Sequence, residues 1–247
     1  MTQLWVIVPA HQEAERIDAT LQALARQRDL DFTLIVVDNA STDTTGARAR
    51  DFARGAPFPV HVLDEDERGV GCAVDTGFRY AISRGATLLA RTDADCLPEE
   101  GWTAAARAEF ARGAEMVCGR IVARADEHGP LGRAGFRVLV AIATAFGRIR
   151  PGHWRRNNGF RVPYRMHAGN NMGIRSELYA TVGGMPRRPA PTDRQFLNRV
   201  RRQTAAISYA RDMVVANSTR RLRAYGLIAT ARWYLEQGSG HHLEDPR

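Results

Sequence analysis

Two short and almost unbroken apolar runs, Leu4–Pro9 and Phe32–Val37, each stop abruptly at a breaker or a polar residue. Runs of that length without polar alternation predict strands covered on both faces. Between them Ala14, Ile17, Leu21, Leu24 and Ala25 recur at helical spacing, which predicts a helix over Glu13–Arg26. Asp38-Asn39-Ala40-Ser41-Thr42-Asp43 ends the second strand, and Ser41 or Thr42 can cap a helix running to about Arg54. A third strand is predicted over Pro59–Leu63, then an acidic turn, Asp64–Glu67, and a helix opened by Arg68-Gly69-Val70-Gly71 that reaches Ser83. Ala86–Arg91 reads as the fourth strand, Glu99–Ala111 as a helix primed by Pro98, and Met116–Val122 as a fifth strand.

The pattern then changes. Leu131–Ile149 is apolar and reads as helical, whereas the arginine-rich stretch 148–166 has Gly and Pro breakers and no clean period, as in a long functional loop. A helix from Ser176, a turn at Gly183-Gly184-Met185-Pro186 and a helix near Asp193 follow. Two short strands are expected at Ala206–Tyr209 and Met213–Ala216, and a basic segment, Arg220–Leu235, closes the ordered part. Strands alternating with helices predict one α/β domain over residues 1–236, with a mostly parallel sheet covered by helices and a flexible tail at 237–247. Ligands of such sheets sit at the carboxyl ends of the strands, which here are Pro9, Asp38 and Asp93.

Asp93-Ala94-Asp95 is the chemically most suggestive of these ends. Carboxylates at i and i+2 just past a strand can converge on one divalent cation, and such cations are commonly held by one or two carboxylates plus substrate phosphates. The bland alternative is a turn that caps the next helix.

With 44% hydrophobic residues the chain can build a sizeable core. Its three cysteines, Cys72, Cys96 and Cys118, show no metal-ligand spacing and suit a reducing setting. No signal peptide precedes the first strand, and the longest apolar run, Val138–Phe146, falls short of a bilayer span, so a cytoplasmic protein is expected. Charge alters that picture. There is no lysine, and residues 1–127 carry 14 arginines against 21 acids, whereas residues 128–247 carry 21 arginines against 6. The first half is therefore acidic and the second basic, which suggests an anionic partner bound mainly by the second half. Nucleic acid is not expected, because the first half is acidic and no binding motif is present. The basic segment leaves open a peripheral contact with an anionic inner membrane face.

Six motifs in order carry a family resemblance: Val8-Pro9-Ala10-His11-Gln12-Glu13; Val36-Val37-Asp38-Asn39-Ala40-Ser41-Thr42-Asp43-Thr44; Arg68-Gly69-Val70-Gly71 through Gly77; Asp93-Ala94-Asp95; Gly169-Asn170-Asn171-Met172-Gly173-Ile174-Arg175 with Val182-Gly183-Gly184; and Asp193 with Phe196, Leu197 and Arg199. In these the chain resembles the family 2 glycosyltransferases of the GT-A fold, a Rossmann-like mixed sheet covered by helices. The resemblance implies a metal-dependent transfer of a sugar from a UDP-, GDP- or dTDP-linked donor to a hydroxyl acceptor, with inversion by single displacement; the basic second half suggests that the acceptor bears phosphate. It implies that Pro9, Ala10, Glu13, Asp38, Asn39, Arg68, Gly71, Asp75, Asp93 and Ala94 hold the nucleotide. Asp95, with Asp93, would hold Mn²⁺ or Mg²⁺, and Asp193 would be the general base. His167, Asn170, Asn171, Gly183, Gly184, Met185, Arg155 and Arg156 would line the sugar and acceptor side. Four positions depart from the family pattern: Gln12, Asn39, Asn217, and Thr192 in place of the acid that usually precedes Asp193. A retaining enzyme of the same fold and a non-catalytic nucleotide- or glycan-binding relative stay open as alternatives.

Overall fold

A computed structural model of the chain describes residues 3–127, 129, 132–138, 140–141, 159–165, 167–187 and 192–220. Of the arginine-rich stretch 148–166, only residues 159–165 are described; Arg155, Arg156, most of the expected Leu131–Ile149 helix, the basic segment after Arg220 and the tail 237–247 lie outside the described residues. The elements are β1 (Leu4–Ala10), α1 (Ile17–Ala25), β2 (Phe32–Asp38), α2 (Thr45–Ala53), β3 (Val60–Asp64), α3 (Val70–Ser83), β4 (Leu88–Thr92), β5 (Leu97–Pro98), α4 (Trp102–Ala111) and β6 (Met116–Ala123). A helical stretch, α5 (132–138), precedes β7 (Asn171–Arg175), α6 (Ser176–Thr181), α7 (Asp193–Gln203) and β8 (Ile207–Asn217).

The eight strands form one sheet in the order β3-β2-β1-β4-β7-β6-β8-β5. Strands β1 to β4 are mutually parallel, β6 pairs β8 in parallel, and the ladders of β7 and β5 are antiparallel. The expected mixed, mostly parallel sheet is therefore present. Its core lies on both faces, as the unbroken apolar runs require. In β1, Leu4, Val6 and Val8 meet α1 and α4 through Leu21, Leu24 and Phe110. Trp5 and Ile7 point to the other face, among Phe78, Tyr179 and Phe196. Alternation along a pleated strand divides the side chains in this way, and each large apolar side chain so buried contributes about 1.5–3 kcal/mol.

Three elements differ from the sequence expectation. Strand β7 was not expected, because Asn171, Met172 and Gly173 carry no strand pattern. The buried amide of Asn171 is nonetheless matched: it accepts from Trp102 Nε1–H at 2.8 Å and donates to the carbonyls of Arg120 at 2.8 Å and Met213 at 3.0 Å. A polar side chain tolerates a sheet interior when its hydrogen bonds are made there, and hydrophobic periodicity cannot register that. Secondly, Ile207–Asn217 is one strand rather than two. Its register against β6 shifts between Cys118 and Arg120, and Arg211 and Asp212 stand exposed at the irregularity. Thirdly, Pro98 does not prime a helix. Leu97 and Pro98 pair with Ala216 and Val215 at the end of the sheet, and the helix begins only at Trp102. A sheet edge accepts proline because no ladder donor is needed there.

Candidate functional site

The parallel register brings the strand exits together. Ala10 lies beside Asp38, and Ile7 beside Arg91, so the exits of β1, β2 and β4 share one rim. Strand β7 runs the opposite way and begins opposite Thr92, which delivers His167 and Asn170 to the same rim. Gln12 and Ala40, just past β1 and β2, hold positive φ angles of 55° and 54°. Such backbone is costly for residues other than glycine and persists only where surroundings impose it. Here Gln12 stitches the two exits together. Its amide donates to Thr42 Oγ1 at 2.7 Å and accepts from the backbone N–H of Thr42 and Asp43, while Ser41 Oγ accepts from the Gln12 N–H. Ser41 and Thr42 are thereby diverted from the capping role expected of them, and Asp43 instead accepts the N–H of Thr45 at 3.0 Å.

Buried polar atoms without a hydrogen-bond partner gather on this rim: Glu13 Oε2, Asp38 Oδ1, Thr92 Oγ1, both ring nitrogens of His167, and Asn170 Oδ1. Orphaned buried polar atoms are rare in folded proteins, and their convergence marks a surface shaped for a polar ligand. Burial pushes the His167 imidazole below its ordinary pKa, with Asp193 pulling less strongly the other way.

At its centre is Arg91, a residue the sequence patterning passed over. This arginine is 2% exposed. Its Nε donates to Asp93 Oδ1 at 2.9 Å and its Nη2 to Asp93 Oδ2 at 3.2 Å, while Nη1 donates to Asp193 Oδ1 at 3.0 Å. Burial opposes the charge, but the two carboxylates outweigh it and hold the guanidinium protonated, with its pKa raised. Asp193 opens α7, and Gly169 leaves room for it, since a Cβ there would overlap the Asp193 carboxylate.

A second arginine, Arg220, joins Glu13 and Asp95, with 2.6 Å to Glu13 Oε1 and 3.6 Å to Asp95 Oδ2. Asp95 is further oriented by the Cys96 thiol, 3.3 Å from Oδ1 and also 3.1 Å from Asn217 Oδ1. Burial pushes that thiol well above its ordinary pKa, so it stays a protonated donor. The turn itself is closed by the Cys96 N–H on Asp93 O at 3.0 Å. These residues suit a hard cation in one specific sense. Each Asp93 oxygen accepts from Arg91, whereas the Asp95 carboxylate meets a thiol and a more distant guanidinium, and no group of three ligating side chains exists among the described residues. One carboxylate completed by phosphate and water oxygens is a common divalent site.

Several other expected site residues make hydrogen bonds within the protein that shape the surrounding loops. Asn39 donates to the carbonyls of Glu65 and Glu67 and accepts from the Gly69 N–H at 2.8 Å, so its amide shapes the 65–69 loop. Asp75 is buried, accepting from Tyr179 Oη at 2.8 Å and Arg79 Nε at 2.7 Å. Met185 N–H donates to the same Tyr179 oxygen. The Gly183-Gly184 turn holds φ angles of 77° and 74°, and a Cβ on Gly184 would press on Asp75. Arg68 is exposed beside this loop, Gly71 is buried in the first turn of α3, and the Ala94 carbonyl accepts from Thr20 Oγ1 at 2.8 Å.

Arg220 is itself positioned by Glu127, whose carboxylate accepts from Ser218 Oγ at 2.8 Å and from the Thr219 N–H at 2.7 Å. Burial pulls this carboxyl upward, but the hydrogen bonds from Thr219 and Ser218 win and hold it below its ordinary value of 4.5. Its stabilisation is therefore complete above the unfolded value and is lost as pH falls through the lowered folded value. Denaturant titrations should show Glu127→Gln less stable than the parent by about 1–3 kcal/mol above about pH 5, with the gap closing on acidification. A gap independent of pH would contradict this.

The family model described as Glycosyl transferase family 2 matches residues 5–182. Glycosyltransferase AglE of Haloferax volcanii is 34% identical over 99 residues, which cover 39% of this chain and 32% of that protein. Undecaprenyl-phosphate mannosyltransferase of Micrococcus luteus is 39% identical over 90 residues, covering 36% of each. The matched stretch thus spans about a third of these curated relatives' length. Among solved structures, the mannosyltransferase PcManGT of Pyrobaculum calidifontis, in complex with GDP-Man and Mn²⁺, aligns with a TM-score of 0.68 at 24% identity, covering 95% of this chain and 62% of that one. S. aureus TarS 1-349 in complex with UDP-GlcNAc aligns at 0.64 with 17% identity, covering 89% and 59%. At these identities the structures speak for the fold.

Proposed function

Because this chain belongs to glycosyl transferase family 2, we propose that it transfers a sugar from a nucleotide-diphosphate donor to an acceptor hydroxyl, with inversion at the anomeric carbon. The observation that supports this reading is the bridge from Asp93 through Arg91 to Asp193, which joins the turn that would face the donor to a carboxylate that would face the acceptor. The nucleoside would lie along the exits of β1 and β2, over the backbone of Pro9 and Ala10, with Asp38 Oδ1 as its unspent acceptor. Asp95 would hold Mn²⁺ or Mg²⁺, which when bound offsets the charge that builds on the departing diphosphate. Asp193, at the opposite end of the bridge, would take the acceptor proton, a contribution of typically 10²–10⁴-fold. His167 and Asn170 would face the sugar, and their orphaned polar atoms are ready to bond its hydroxyls.

A second acceptor chemistry is favoured by one observation, the excess of 21 arginines over 6 acids after residue 127. That charge suits an acceptor phosphate, and the Micrococcus luteus relative is named for undecaprenyl phosphate. An ionised phosphate nucleophile has no proton to give up, so Asp193 would not act as a base on it. Among the described residues no helix is long and apolar enough to cross a membrane.

The test is nucleotide release from GDP-mannose and UDP-N-acetylglucosamine with Mn²⁺, given octyl mannoside or detergent-solubilised undecaprenyl phosphate as acceptor. Acceptor-stimulated release with one pairing is the expected result. Nucleotide binding without turnover in every pairing would instead support the non-catalytic alternative.

A further inference from the structure

We propose that Arg91 is the positioning residue of the transfer step: its guanidinium sets the Asp193 carboxylate at a fixed place relative to the Asp93–Asp95 turn, so that acceptor and donor meet in register. The inference rests on the reading of Asp193 as the base.

Three features of the geometry support it. One planar group spends three donors on two carboxylates that are distant in sequence, gripping Asp93 with a fork and Asp193 with a single bond. Only arginine offers a rigid fork together with a further donor, whereas a lysine ammonium is a compact charge without that geometry. Secondly, the backbone of Arg91 is anchored in the interior of the sheet, paired with Ile7 of β1 on one side and Met172 of β7 on the other. The guanidinium is therefore referenced to a strand paired on both sides. Asp193 instead opens a helix, where a short carboxylate needs an external partner to hold its direction. Thirdly, Arg91 engages only Oδ1 of Asp193, so Oδ2 takes no part in the bridge; that side chain stays 36% exposed, and Gly169 beside Oδ2 presents no side chain to cover it. Burying a guanidinium is expensive, and an apolar residue of similar volume commonly packs as well or better. A charge kept at that depth is accounted for by what it holds.

The experiment uses the full chain and the donor–acceptor pairing that supports transfer, with GDP or UDP plus Mn²⁺ as the binding probe. Arg91→Lys should leave nucleotide Kd and donor KM within about 3-fold, while kcat falls about 100-fold, the scale of an ångström-sized misplacement of a reacting group. In an Asp193→Asn background the same substitution should cost less than about 3-fold more, since the group it positions is already gone. Full multiplication of the two losses, or nucleotide affinity falling in step with kcat, would mean Arg91 only braces the fold and would overturn the proposal. Should Arg91→Lys not fold, Asp193→Glu serves instead. It keeps the bridge's charge but displaces the carboxylate by one methylene, and it should lower kcat without lowering Tm, whereas an unchanged kcat would overturn the proposal. If Asp193→Asn is itself fully active, the base reading fails. If Asp193→Asn is inactive while Arg91→Lys turns over normally, only the positioning role fails.

Discussion

Asp193→Asn should lower transfer to a hydroxyl acceptor by about 10²–10⁴-fold while leaving nucleotide affinity within about 3-fold of the parent. The amide is nearly isosteric and can still accept from Arg91 Nη1, so the Asp193 end of the bridge keeps its hydrogen bond and loses its charge, while the fork on Asp93 stays. What disappears is a carboxylate able to take the acceptor proton. Asp193 would carry this role without the acidic neighbour common in the family: Thr192 stands there, buried, and Arg91 is its ion-pair partner. The measurement is kcat for acceptor-stimulated nucleotide release, set beside nucleotide Kd by calorimetry. With an undecaprenyl phosphate acceptor the same variant should be nearly as active as the parent, because no proton has to leave. The two acceptor chemistries thus separate on one substitution. Full activity on a hydroxyl acceptor would remove Asp193 from the mechanism.

Asp95→Asn should be of similar size and of different character. Its loss should appear as weakened Mn²⁺ binding, followed by Mn²⁺ electron paramagnetic resonance in the presence of GDP or UDP, together with a roughly 10³-fold drop in turnover, corresponding to the several kcal/mol a cation supplies to a departing diphosphate. Asp93 is held by the Arg91 fork, so Asp95 is the carboxylate of the pair whose loss leaves the bridge to Asp193 in place. Arg220 would keep its 2.6 Å contact with Glu13 when Asp95 loses its charge, so the local fold should survive. Unaltered Mn²⁺ affinity in Asp95→Asn would place the cation elsewhere or dispense with it.

Much of the framework was legible before any coordinates. The apolar runs of β1, β2 and β4 announce strands buried on both faces, and their polar exits at Pro9, Asp38 and Asp93 identify the rim. The parallel register then aligns those exits. β7 escaped notice because its stabilisation is polar. Asn171 is accommodated by Trp102, Arg120 and Met213, partners supplied by three other elements, and no window of local sequence contains them. Asn39 and Asp75 were legible as polar residues near the site, but their internal hydrogen bonds were not, since those depend on where the 65–69 loop and Tyr179 come to rest.

By itself, then, the sequence determined the sheet-and-helix alternation, the rim, the paired aspartates at 93 and 95 and the division into an acidic and a basic half. Each of these follows from local periodicity or from counting. Only the tertiary structure decided what the charges do. In the chain Arg91 is a basic residue inside a strand, and Arg220 the first of a basic run. Folded, Arg91 is the bond between Asp93 and Asp193, and Arg220 the bond between Glu13 and Asp95. Ion pairing is decided by distance in space, and a guanidinium can be buried only where the fold brings carboxylates to meet it.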